Sequence, residues 1–500
     1  MTISCTMHYL CTIMLFISNC MNNVVDDPTN TLFQIAGNKE VSLSKDENTL
    51  LRNPCSGWGL YDDAAGEVAN AEQYWLAQDS AANKYASFFY IRWRWSEMEP
   101  EEGKYAWLYD DNYKKLVQGA LDRGLKLAFR IYTNGQDNFR QATPDFVRQA
   151  GAKGFNTNGK RSNWTPYIDD TIFQRKLENF IKAFAKEYDD PDKVDFVDGV
   201  NVGWWGECSH LEIENVTQQK RDNFLEWITD VYGKSFKKVI LLLNLCSEFG
   251  YDSELKIAVN GQGYGYRRDG LGSMWFFDDQ QTKTRSLYPK TLLIGESCYW
   301  GGNEFTGSRT WASDTKYKFS SWRQVYDLTC QQALQFHFNT LDLRGAVETK
   351  GWTKTAPDLV QKFIKQGGYR LYPSLISAPD IVTSKEKITI GHQWENLATG
   401  VCPNNNPRWH FKYKVAFALI DLNGKIVQTF IDNQSDPSQF LYGKPVNYKF
   451  DATVSNISTG KYTLVVALVD TTKGNQPALK LATTAKEISG WTVVGAIEVK

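Results

Sequence analysis

Between Arg52 and Gly368 the chain repeatedly alternates a short apolar run with a longer stretch whose apolar residues recur at three and four positions. Runs of this length read as buried strands, and three-and-four recurrence reads as the core-facing side of a helix. Regular strand-helix alternation lays strands parallel and covers the sheet with helices, which restricts the fold to a β/α barrel or an open parallel sheet. Eight strand candidates are present: Gly57 to Tyr61, Ser87 to Trp95, Leu125 to Tyr132, Phe196 to Gly203, Val239 to Leu245, Lys256 to Asn260, Leu292 to Glu296 and Leu334 to Asn339. Helical stretches fall between them, at Ala71 to Lys84, Tyr113 to Arg123, Ile172 to Tyr188, Arg221 to Tyr232 and Ser321 to Gln332. Eight units suffice to close a barrel, so the expected fold class is α/β, a (β/α)8 TIM barrel over residues 49–371.

After Tyr372 the texture changes to alternating runs separated by turn-rich pieces: Lys387 to Ile390, Phe411 to Asp421, Lys425 to Phe430, Val446 to Phe450, Lys461 to Asp470, Leu479 to Thr483 and Trp491 to Lys500. Asn423-Gly424 between two of them is a hairpin signal. Short alternating strands at this density predict a C-terminal antiparallel β-sandwich over residues 372–500. At the other end, residues 1–20 are apolar but too short and interrupted to span a bilayer as a mature helix, which reads as an export signal. The segment resembles a bacterial lipoprotein signal ending at Cys20, with Leu15 to Asn19 as a loose lipobox; a cleaved secretory signal and a misplaced start are the other readings. Residues 21–48 are polar and read as a tether. The expectation is an exported protein, anchored to the outer membrane as a lipoprotein at the cell surface or in the periplasm. No later segment is apolar enough to cross a membrane, so the lipid anchor is the sole membrane contact expected.

The chain carries 56 basic and 57 acidic residues among 500, a formal charge of −1, which gives no electrostatic reason to expect nucleic acid. A neutral substrate fits this balance better. Its 17 Trp and 25 Tyr supply flat faces with polar edges that suit sugar rings as well as cores. Six cysteines follow Cys20, at spacings that match no zinc or redox motif, and Cys208 and Cys298 read as packing thiols. No metal-ligand spacing, serine-nucleophile elbow or phosphate-binding glycine loop occurs, so neither metal nor organic cofactor is implied.

Glu207 and Glu296 each follow an uncharged apolar segment, Val200 to Gly206 and Leu292 to Gly295. In a barrel the ends of such strands converge on one mouth, where two opposed carboxylates are the equipment of glycosidic bond hydrolysis. Strand parity nominates the other cavity residues: Arg92 and Arg94 beside Tyr90, then Arg130, Asn201, Asn244, Asn260, Gln262, Gln335, His337 and Asn339. Trp204, Trp205 and Trp300 follow strand ends and are candidates for stacking on a sugar. With Trp204, Trp205 and Cys208 around it, Glu207 is suited to stay protonated and act as general acid/base. A guanidinium from Arg92, Arg94 or Arg130 would keep Glu296 ionised as nucleophile. The competing readings are a set of buried structural ion pairs, a satisfied core histidine at His337, and a non-catalytic surface glycan-binding protein on the same scaffold.

The segment Arg92-Trp-Arg-Trp-Ser-Glu-Met-Glu-Pro-Glu-Glu-Gly-Lys-Tyr-Ala-Trp107 resembles the second-strand region of the clan A glycoside hydrolases, including the beta-galactosidase-like barrels. The resemblance implies an acid/base glutamate after the fourth strand and a nucleophilic glutamate at the end of the seventh, positions taken here by Glu207 and Glu296. It also implies a retaining mechanism, and the expected function is that of an exported glycoside hydrolase acting on an oligo- or polysaccharide. The segments Asn201-Val-Gly-Trp-Trp-Gly-Glu207 and Trp394-Glu-Asn396 make the chain similar to uncharacterised bacterial lipoproteins that join a barrel to a β-sandwich. The clan's Asn-Glu dipeptide is missing, since Asn201 precedes Glu207 by six positions, which puts the acid on a loop after the strand.

Overall fold

The computed structural model describes residues 33, 35–62, 68–134, 141–156, 163–245, 247–273, 276, 278–299, 301, 305, 319–455 and 457–500. The expected signal, most of the expected tether and Trp300 lie outside the described residues. Eight strands, β1 (Gly57–Tyr61), β2 (Ala86–Arg94), β3 (Lys126–Tyr132), β4 (Val194–Asp198), β5 (Ile240–Asn244), β6 (Gly265–Leu271), β7 (Leu293–Ser297) and β8 (Thr340–Arg344), pair in parallel and close on themselves. The fold class expected from the sequence is the one observed. Strand alternation produces two cores: Ile91, Trp93, Phe129 and Val197 face the helical ring, while Phe88, Tyr90, Ala128, Phe196, Ile240, Leu242, Leu292 and Ile294 fill the barrel.

Two expected strands are not strands. Lys256 to Asn260 lies within a helical segment at Glu254–Asn260, where the buried residues are Glu254 and Ala258, four apart, and the sixth strand starts later at Gly265. The alternation of Leu334 to Asn339 is likewise misleading: the helix Trp322–Gln335 runs into it, His337 turns the chain at φ 64°, and the eighth strand is Thr340–Arg344. The fourth strand stops at Asp198 rather than Gly203, so Asn201 and Glu207 both belong to the loop beyond it.

The C-terminal region builds two sheets. One, of four strands, is ordered Asn38–Ser42, Leu371–Pro379, Lys387–Asn396 and Val446–Thr453. The other runs Ile381–Val382, Trp491–Val499, Gly460–Asp470, Tyr413–Ile420 and Ile426–Asp432, with Gln476–Leu479 and Glu487–Ile488 at its margins. Tyr413–Ile420 and Ile426–Asp432 form the hairpin that Asn423-Gly424 signals. The last part of the expected tether is therefore an ordered strand, since Asn38 to Ser42 pairs antiparallel with Leu375 to Pro379.

The sandwich seals the N-terminal end of the barrel. Arg408 donates to the carbonyls of Gln262 at 2.9 Å and Phe236 at 3.3 Å, and Asn406 to Gly263 at 3.0 Å, all in loops that lead into strands. Barrel interior and sandwich core form one continuous buried cluster, with Cys55, Tyr369, Trp394, Cys402 and Trp409 packed alongside Phe196 and Leu242. The opposite end, where the strands finish, is left for chemistry.

Candidate active site

Glu296 sits on β7 with its side chain 2 % exposed and is surrounded by guanidinium groups. Its Oε1 accepts from Arg344 of β8 at 2.8 Å and lies 3.8 Å from Arg92 of β2; its Oε2 accepts from Arg267 of β6 and, at 3.5 Å, from Arg130 of β3. Burial by itself would raise the pKa of this carboxyl, but Arg130, Arg267, Arg344 and Arg92 more than offset it and hold Glu296 well below the usual carboxylate range. Asp198 on β4 anchors the cluster from below, accepting from Tyr90 at 2.6 Å and lying 2.9 Å from Arg267 Nε. Asp342 accepts from Arg344 Nε at 2.9 Å and from the Ser297 amide at 2.6 Å, fixing both strand ends beside Glu296.

Glu207 reaches the same cluster from the loop after β4. Its Oε1 accepts from Arg130 Nη1 at 3.0 Å, so one guanidinium holds both glutamates. The loop is bent tightly to achieve this. Gly203 and Gly206 have φ of 74° and 73°; a Cβ on Gly203 would come within 2.3 Å of the Ser209 carbonyl, and one on Gly206 within 3.0 Å of Tyr132 Cβ. Trp205, Cys208 and His210 also take left-handed φ, at 52°, 57° and 53°. Backbone bonds Trp204 to Ser209, Cys208 to Val202 and Glu207 to Trp204 close the turn, and Asn244 Nδ2 donates to the Glu207 carbonyl at 2.8 Å. Left-handed residues of this bulk cost of order 1 kcal/mol or more each, and such strain clusters where geometry serves a site. Burial first, and then the charge of Asp269, raise the Glu207 pKa to about 7 in spite of Arg130 and Arg267.

The residues nominated from the sequence divide into two groups. Glu207, Glu296, Arg92 and Arg130 converge at the mouth. Asn201 lies beside them, fully buried, with neither polar atom of its side chain hydrogen-bonded among the described residues. Trp204 stacks on His210 with ring centres 3.3 Å apart and meets Trp205 edge-on at 5.8 Å, placing both indoles in the loop that carries Glu207. Arg94, though on the same strand face, pairs with Glu97 at 2.8 Å.

Three nominations are corrected. Asn260 is exposed on the helical segment that precedes β6 and lines a groove against Pro403 to Pro407 of the C-terminal region, away from the mouth. His337 and Asn339 precede β8 and so lie at the floor: the His337 ring bonds the Thr399 carbonyl at 2.8 Å and stacks on Tyr288, and Asn339 clamps Cys55 and Val401. Arg267, Asp269, Asp342 and Arg344 were not nominated, because β6 and β8 were placed on the wrong segments. The signals were present in part: Leu341-Asp342-Leu343-Arg344 alternates, and Gly265 to Leu271 is a run between glycines with Arg267, Arg268 and Asp269 in succession. Among the described residues no group of three or more His, Cys, Asp or Glu could hold a metal ion.

No family model matches this chain, and no curated protein is similar to it in sequence. Solved structures do resemble it. Endo-glycoceramidase II from Rhodococcus sp. is 11 % identical and covers 83 % of this chain and 100 % of its own, at a TM-score of 0.41. An endogalactoceramidase is 11 % identical over 78 % of this chain and 97 % of its own, at a TM-score of 0.38. An exo-beta-1,4-mannosidase from an Opitutaceae bacterium is 12 % identical over 57 % of this chain and 51 % of its own, at a TM-score of 0.36. Identities this low and superpositions this loose leave the chemistry to the residues themselves.

Proposed function

We propose that this protein is a glycoside hydrolase acting on an oligo- or polysaccharide, with Glu207 as general acid/base and Glu296 as nucleophile. One observation carries the reading: a single guanidinium, Arg130, joins two carboxyl groups whose surroundings push their pKa values in opposite directions. A carboxyl that keeps its proton near neutrality can donate it to a leaving oxygen, and one that stays ionised can attack the anomeric carbon or stabilise the cation formed there. Double displacement, with retained configuration, follows if the two carboxyl carbons stand about 5 to 5.5 Å apart across the bound sugar. Arg92 and Asn201 would then meet sugar hydroxyls, and Trp204 and Trp205 a ring face. Export and lipid anchoring through Cys20 belong to the same proposal, because a polysaccharide substrate lies outside the cell.

A second reading, a glycan-binding barrel without catalysis, is favoured by the saturation of Glu296, both of whose oxygens are taken up by arginines. A screen of plant, host and microbial glycans for released sugar separates the two, with Glu296→Gln as control. Release by the wild type and none by the variant supports hydrolysis. Binding of a glycan by both proteins, with no release by either, establishes the second reading.

A further inference from the structure

Charged groups reach Glu207 from three sides: Asp269 and Arg267 from β6, Arg130 from β3 and Glu296 from β7. Arg92 of β2 and Arg344 of β8 stand behind Glu296. The mechanism proposed above gives Asp269 no task. It follows Arg267 by two residues, hence shares the inward face of β6 and lies one layer nearer the mouth. Its Oδ1 accepts from Arg268, whose Nε donates to Gln280 at 2.8 Å, so the carboxyl is held in place from outside the barrel. Its Oδ2 has no hydrogen-bond partner among the described residues. The Asp269 side chain is 28 % exposed, against 14 % for Glu207 and 2 % for Glu296, so a ligand entering the mouth meets it first.

Resting on the hydrolase reading, we propose that Asp269 is a positioning residue: it forms the ligand-facing carboxyl pair with Glu207, and its fixed negative charge keeps the proton on that acid until a substrate arrives. The electrostatics agree with this placement. Burial works to raise the Asp269 pKa, but Arg268 and Arg267 more than offset it and keep the group below the usual range, so it is charged while Glu207 is not. A fixed like charge opposes ionisation of its neighbour. The remaining groups around Asp269 are Arg130 and Glu296, which bond each other, and the half-buried Cys298 thiol.

The test compares wild type, Asp269→Asn and Asp269→Glu, with Glu207→Gln as control, by two readouts. In the first, tryptophan fluorescence is titrated from acid to alkaline pH, since Trp204 and Trp205 share the loop with Glu207. Wild type should show a transition near pH 7 that Glu207→Gln lacks. Asp269→Asn should move it down by about one pH unit, and Asp269→Glu, which restores the charge, should leave it near its wild-type position. In the second, the basic limb of the pH-rate profile on a cleaved glycan should move in the same way. An unmoved transition in Asp269→Asn, or none in the wild type, overturns the inference. A protein that cleaves glycan with a limb insensitive to Asp269→Asn overturns the role of Asp269 alone. A wild type that titrates as expected yet releases no sugar from any glycan overturns the hydrolase reading and the catalytic role with it.

Discussion

Replacing Glu207 by Gln should make this protein progressively more stable relative to wild type as the pH rises from acid to alkaline. The folded state holds the Glu207 proton to about pH 7, whereas an unfolded glutamate releases it near 4.5. Below pH 4.5 both states are protonated and the group contributes nothing. Between the two values the unfolded chain has lost its proton and the folded chain has not, so stability falls as pH rises. Above pH 7 the loss is complete, about 2.5 pH units or ~3.4 kcal/mol at ~1.36 kcal/mol per unit. Glutamine cannot ionise, so the variant lacks this loss. The difference between variant and wild type should therefore grow by ~3 kcal/mol from acid to alkaline pH, whatever constant offset the lost contact with Arg130 introduces. For a chain of this size that is a relative rise of about 3 °C in melting temperature, readable by differential scanning fluorimetry of both proteins across matched buffers. A difference between the two melting curves that stays flat from pH 4.5 to pH 8.5 would refute the claim that Glu207 is held protonated by its surroundings.

Glu296→Gln should be costly at neutral and alkaline pH, because it leaves Arg267, Arg344, Arg130 and Arg92 facing one another without their shared counter-charge; about 3 to 5 kcal/mol of stability should be lost, visible as an early unfolding transition, and the loss should shrink on acidification below the ordinary carboxylate range, where the wild type forfeits the same ion pairs. Asn339→Ala removes three hydrogen bonds at the barrel floor, two of them to Val401 of the sandwich and one to Cys55, so it should lower stability by about 2 to 4 kcal/mol while leaving KM and kcat on any cleaved glycan unchanged. Asn260→Ala, at an exposed position remote from the mouth, should leave both melting temperature and glycan release at wild-type values.

The barrel was legible because most of its strands are short, apolar and flanked by long amphipathic stretches. Leu127 to Ile131 and Ile240 to Leu243 admit few other readings. Glu296 was legible for the same reason, as a charge ending an apolar run. What stayed hidden were the strands whose inward faces are themselves charged. Gly265 to Leu271 places Arg267 and Asp269 inside the barrel, and composition alone assigns such a segment to a surface loop. The neighbouring Lys256 to Asn260 has the short apolar run of a strand but is wound into a helix, because Glu254 and Ala258, one turn apart, are its buried positions. The error then carried into the site: with the sixth and eighth strands misplaced, parity chose Asn260, His337 and Asn339, and passed over the two arginines closest to Glu296. The loop position of Glu207 could be anticipated from its six-residue distance to Asn201, whereas its grip on Arg130 depends on two left-handed glycines whose geometry no periodicity reveals.

Residues 38–42 enter the molecule as an edge strand of the sheet system lying beneath the barrel floor, on the side away from Glu207 and Glu296. A chain that enters there leaves the rim, where the two glutamates sit, uncovered by its own first strand.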